Sequence, residues 1–169
     1  MKLIGALLII FSSSSIGFLM ARQIALRPRQ LQQLKTALEM LKTEIDYGMT
    51  PLPEAFAKLD QNLQPPVADL FALAKENIES GIVAQQAWQK AVEEKKSEMA
   101  VVEEDHNLIL EIAYNLGKSS SADQIRHLEL AQKKIDNLYQ QAIKEKEQKV
   151  KLWRYLGVLL GLLVVIIIV

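Results

Sequence analysis

The chain has 169 residues, half of them hydrophobic and 24% charged, and its 20 basic and 20 acidic groups cancel to a formal net charge of zero. That balance excludes bulk-charge binding of nucleic acid. With no cysteine, a disulfide scaffold and a cysteine-based zinc centre are excluded too, and the redox compartment stays open.

The average conceals a segregation: every acidic residue, and every basic one except Lys2, lies between Ala21 and Arg154. The polar middle is the size of one domain and can bury one core. Residues 3–21 form an uncharged run softened only by Ser12 to Ser15, long enough to cross a bilayer. A cleaved signal peptide is the rival reading, since a lone Lys2, the apolar Leu3 to Phe11 and the serine tract fit that plan loosely. Against cleavage, Ile16 to Met20 turns apolar again, and a basic cluster of Arg22, Arg27, Arg29 and Lys35 follows directly.

Residues 22–151 read as a helical bundle. Pro28 is expected in the first turn of a helix whose apolar stripe is Leu31, Leu34, Leu38, Leu41 and Ile45. Gly48 stops it, and Thr50 and Pro51 restart the chain as N-cap and first helical position. Ala55, Phe56 and Leu59 give the buried stripe of a second helix, which Pro65 and Pro66 break. Val67, Leu70, Phe71, Ala74 and Ile78 mark a third helix closed by Gly81, and Ala84, Ala87, Trp88, Ala91 and Val92 a fourth. A fifth is expected from Met99 to Leu116, ending at Gly117, and a sixth opens at Ser119 to Ser121 and meets no helix breaker before Leu156. Ile45-Asp46-Tyr47-Gly48 followed by Ala55-Phe56 parallels Ile78-Glu79-Ser80-Gly81 followed by Ala87-Trp88, which suggests a duplicated helical hairpin or a chance match, two copies being fewer than the about three that a solenoid needs. The expectation is an all-α antiparallel bundle of about six helices with short turns.

Residues 152–169 form the second expected transmembrane helix. At about 1.5 Å per residue they reach roughly 27 Å, against a hydrocarbon core of about 30 Å. Trp153 and Tyr155 stand at its start, as interfacial aromatics do, beside Arg154. Basic residues flank both spans on the middle-domain side, which predicts a cytoplasmic bundle. Ser13 and Gly17 in the first span, and Gly157 and Gly161 in the second, are small residues four apart, a spacing that lets helix backbones pack closely.

Signatures of catalysis are missing: there is no phosphate-binding glycine loop, HExxH or nucleophile elbow. No cofactor or metal is expected. The one metal alternative would join His106 to Glu103, Glu104, Asp105 and Glu111, which a solvated helix face explains more simply. A passive coiled-coil tether is the other alternative, but the apolar spacing from Ile125 to Ala142 falls short of sustained heptads. The turn at Gly48, with Glu44, Asp46, Tyr47 and Met49 around it, is the candidate partner interface, because loops at the end of a rigid bundle concentrate contacts.

Together the first span with Arg27-Pro28-Arg29-Gln30-Leu31, the stretch Glu44 to Leu52, Ala87-Trp88, Leu116-Gly117 and the C-terminal span resemble the stage III sporulation protein AB family, over the whole chain. That family in turn is similar to the F-domain inner-membrane platforms of type II secretion and type IV pilus systems, with one bundle where those usually have two. The resemblance implies a non-enzymatic membrane scaffold of the sporulation channel, or feeding tube, between mother cell and forespore. It implies a place in the mother-cell membrane around the forespore with the bundle in the cytoplasm. Its implied partners are a cytoplasmic secretion-type ATPase of the same sporulation system, other membrane channel subunits, and further copies of itself. No catalytic residues transfer; Gly48, Thr50, Pro51 and Gly81 transfer as turn residues, and Arg27 and Arg29 as a membrane-proximal basic pair.

Overall fold

The computed structural model describes residues 2–47, 50–114, 116 and 120–168, and these are all-α. Six helices follow in order: α1 (Lys2–Tyr47), α2 (Leu52–Asn62), α3 (Val67–Glu79), α4 (Ala84–Lys95), α5 (Glu103–Ile112) and α6 (Ser121–Ile168), with a 3₁₀ turn, Lys96–Glu98, after α4. The chain divides into two compact units. The stem comprises residues 1–28 and 140–169, and the body residues 29–139.

The body's core follows the apolar periods. On α1, Leu31, Leu34, Ala37, Leu38 and Leu41 are buried, and on α6 so are Leu128, Ile135 and Leu138. Helix α2 packs on α3 and α3 on α4. Phe56, Phe71 and Trp88, one from each of these helices, meet with ring centroids 5.1–5.8 Å apart and are fully buried. Such pairs add about 0.5–1.5 kcal/mol each beyond their burial. The Trp88 indole N–H donates to the Ile109 carbonyl at 2.7 Å, fastening α4 to α5. Buried Gln30 accepts the Ala100 N–H at 2.7 Å, so α1 satisfies a backbone donor of the α4–α5 connection.

Three boundaries differ from expectation. Pro28 lies inside α1, not in its first turn: span and first bundle helix are one 46-residue helix. A proline there removes a single i→i−4 hydrogen bond, and the buried positions continue on either side, with Ala21 before it and Leu31 and Leu34 after. Pro51, not Thr50, is the N-cap of α2, because its carbonyl accepts the Ala55 N–H at 3.0 Å, and the Thr50 hydroxyl instead donates to Glu44 at 2.8 Å. Helix α5 is shorter than Met99 to Leu116. Its start is fixed by the Asp105 carboxylate, which accepts the Val102 N–H at 3.0 Å, and its end tightens into i→i−3 hydrogen bonds from Tyr114 to Glu111 and Leu116 to Ala113.

Two ends follow local chemistry closely. At α6, Ser120 Oγ accepts the Asp123 N–H at 3.2 Å and donates to the Asp123 carboxylate at 2.7 Å. At α3, Gly81 takes φ +94°, its N–H reaches the Ile78 carbonyl at 2.9 Å, and the Ile82 N–H reaches the Asn77 carbonyl at 3.1 Å. That is a Schellman motif, which glycine enters without strain. Gly48, Met49 and Gly117 lie outside the described residues.

Candidate functional site

The stem is a helix pair, and its closest approach is built from four small residues. The Ser13 hydroxyl donates to the Gly157 carbonyl at 2.8 Å, across 144 positions of sequence. A Cβ placed on Gly17 would stand 2.7 Å from the Trp153 carbonyl oxygen and 2.9 Å from the Gly157 Cα; one on Gly157 would stand 3.0 Å from the Gly17 Cα. One on Gly161 would collide with Ser13 Oγ. Backbone therefore meets backbone at Gly17 and Gly157, an approach only glycine permits. The structure brings Ser13, Gly17, Gly157 and Gly161 into this one crossing, and the helices run antiparallel, since Ser13 meets Gly157 while Arg27 meets Glu145.

Away from that seam the stem exposes its apolar side chains. Phe11 is 72% exposed, Leu19 60%, Leu159 59% and Ile166 78%. An uncovered apolar surface of this length suits hydrocarbon and not water. Among the described residues α1 carries, in its segment from Leu8 to Tyr47, a stretch long and apolar enough to cross a membrane. The Arg154 guanidinium lies over the Phe18 ring, 5.8 Å from its centroid.

At the charged end of the stem, buried Arg27 donates to Glu145 at 2.7 Å, and Lys149 donates to the other oxygen of the same carboxylate at 2.9 Å. The Lys149 hydrogen bond is the chief reason the Glu145 carboxyl is held below its usual value; the Arg27 charge adds to it and partial burial opposes. Arg22 and Arg154 are exposed, as is Arg29 in the body.

The expected partner face resolves into residues of different character. Half-buried Glu44 is held by Lys58 at 2.6 Å and Thr50 at 2.8 Å, the Lys58 hydrogen bond being the larger cause of its lowered pKa. Asp46 is exposed, and Tyr47 is 86% exposed at the last position of α1. On the same body, Lys35 pairs with Asp136 at 2.6 Å and Lys42 with Glu129, joining α1 to α6. Neither these pairs nor buried Gln30 was signalled by local sequence, because partners about 70 to 100 positions away leave no local mark.

Among the described residues no group of three or more metal-binding side chains converges. Asp105 is occupied at the start of α5, and the His106 ring is buried with Glu93 as its nearest carboxylate, at 3.5 Å.

The solved structure titled Stage III sporulation protein AB has the same fold, with a TM-score of 0.69 at 27% identity over 73% of this chain and 98% of its own. A curated relative, Stage III sporulation protein AB of Bacillus subtilis (strain 168), is 29% identical over 168 residues, covering 99% of this chain and 98% of that one. The family model described as stage III sporulation protein AB matches residues 2–169, so the chain belongs to that family.

Proposed function

We propose that this protein is a non-enzymatic platform of the sporulation channel, or feeding tube, between mother cell and forespore. In this reading both α1 and α6 cross the mother-cell membrane around the forespore. The body faces the cytoplasm and couples a secretion-type ATPase of the same system to membrane and channel subunits. The observation that carries the reading is helical continuity: α1 and α6 each run unbroken from the stem into the body. Each helix is thereby continuous between an apolar segment and a polar one, which suits an anchored scaffold. Family membership supports the sporulation context. The basic residues flanking both spans support the cytoplasmic orientation.

Two experiments test it. The chain has no cysteine, so single cysteines introduced at Arg29 and at Lys146 can be labelled in intact cells; labelling by an impermeant reagent from outside would overturn the orientation. Asp46→Lys with Tyr47→Ala, the exposed part of the candidate interface, should weaken co-purification with the ATPase about tenfold or more, as loss of an interface anchor does. Unchanged co-purification would move the contact to another surface.

A further inference from the structure

The formal neutrality of this chain is the sum of two opposite units. The stem holds eight basic residues against two acidic ones, Glu145 and Glu147, whereas the body holds twelve basic against eighteen acidic. Nearly all of the stem's positive charge is gathered where its helices leave the apolar zone, at Arg22 and Arg27 on α1 and from Lys144 to Arg154 on α6. Part of it is spent internally: Arg27 and Lys149 share Glu145, and Arg154 covers Phe18. Arg22, Lys144, Lys146 and Lys151 are exposed and make no ion pair among the described residues. Lys144 and Lys151 are seven residues apart and so share one face of α6.

The axial distance matters as much as the count. From Lys144 to Arg154 a helix rises roughly 15 Å, about the depth of a headgroup layer plus one Debye length at physiological salt. Every one of these cations therefore lies within electrostatic reach of lipid phosphates. The aromatic side chains of Trp153 and Tyr155 hold that end of the helix at the interface.

We propose that this collar of Arg22, Lys144, Lys146 and Lys151 is a binding surface for anionic phospholipid headgroups and gathers phosphatidylglycerol-type lipids around the stem. The proposal rests on the reading that α6 enters the membrane. Its occupant follows from continuity with the apolar stem: the phosphates nearest these cations belong to the surrounding lipid. Each basic residue near an anionic surface strengthens attraction about fivefold, so the four together favour an anionic neighbour strongly over a zwitterionic one.

Trp153 lies two residues beyond Lys151, at the apolar edge of the collar, and is a built-in reporter, while Trp88 is fully buried in the body and gives a constant background. The full chain is reconstituted in phosphatidylcholine vesicles with a minority of phosphatidylglycerol, and brominated versions of either lipid are substituted in turn. Brominated phosphatidylglycerol should quench Trp153 several-fold more than the same mole fraction of brominated phosphatidylcholine. The preference should shrink at high salt and fall several-fold in the Lys144→Gln, Lys146→Gln, Lys151→Gln variant, which keeps only Arg22 of the collar. A control that neutralises body lysines, Lys90→Gln with Lys133→Gln, should keep it. Equal quenching by both lipids, or a preference undiminished by the triple substitution, overturns the lipid selectivity and leaves the spanning reading intact. No quenching by either lipid overturns both.

Discussion

Gly17 is where the stem tolerates least change, and Gly17→Leu tests its geometry. The new Cβ would stand 2.7 Å from the Trp153 carbonyl oxygen, so the helices must separate by about 0.7 Å to reach the 3.4 Å of ordinary contact, before the rest of the leucine is accommodated. Overpacking of a tight contact costs about 1–3 kcal/mol, which reduces the closed crossing by a factor of roughly 5 to 160 relative to open forms. The chain's lack of cysteine supplies a clean reporter. A Cβ on Gly161 lies 3.5 Å from the Ser13 Cβ, at the near edge of the range of about 3.5–4.5 Å that disulfides span. The pair Ser13→Cys with Gly161→Cys should therefore form an intrachain disulfide under mild oxidation in membranes. Ser12→Cys with Gly161→Cys, turned by about 100° on the helix, should not. Adding Gly17→Leu to the reactive pair should slow bond formation at least fivefold, and Gly17→Ala should slow it less. Unaltered kinetics with Gly17→Leu, or a disulfide that joins two chains, would refute the crossing described here.

Trp88→Phe keeps the ring in the aromatic cluster but leaves the Ile109 carbonyl without its donor, and should lower the body's stability by about 1–3 kcal/mol in urea unfolding followed by circular dichroism. Gly81→Ala should cost about 1–2 kcal/mol in the same assay, wholly through backbone strain at φ +94°, since nothing lies within 4 Å of the added methyl. The Glu145 carboxyl is held below its usual 4.5 by Lys149 and Arg27. Its contribution is thus complete above that value and is lost as pH falls through the lower, folded one. Glu145→Gln should accordingly destabilise at neutral pH by less than about 1 kcal/mol, as a partly exposed pair does, and the difference from the parent should shrink in thermal melts as pH falls below 4.5; a difference that grows on acidification would contradict the pairing.

Much of the architecture could be read from local patterns. Leu31, Leu34, Leu38 and Leu41 recur at three and four because a helix repeats every 3.6 residues, and that period is written in the chain itself. The apolar ends are equally plain, since hydrocarbon thickness sets a length that composition can be checked against. Helix ends were read less well. Pro28 looked like a start because proline suits a first turn, yet the packed positions on both sides carry one helix through it. The start of α5 depended on whether Asp105 would turn back to the Val102 N–H.

Pairing across the fold lay beyond any local pattern. That Ser13 would meet Gly157, that Gln30 would satisfy Ala100, and that Arg27 would meet Glu145 are relations between distant segments. Periodicity tells each helix which face to bury but not against which neighbour or at what height. Those choices come from the simultaneous fit of several helices, where a shift of one turn, about 5.4 Å, would separate every one of these pairs.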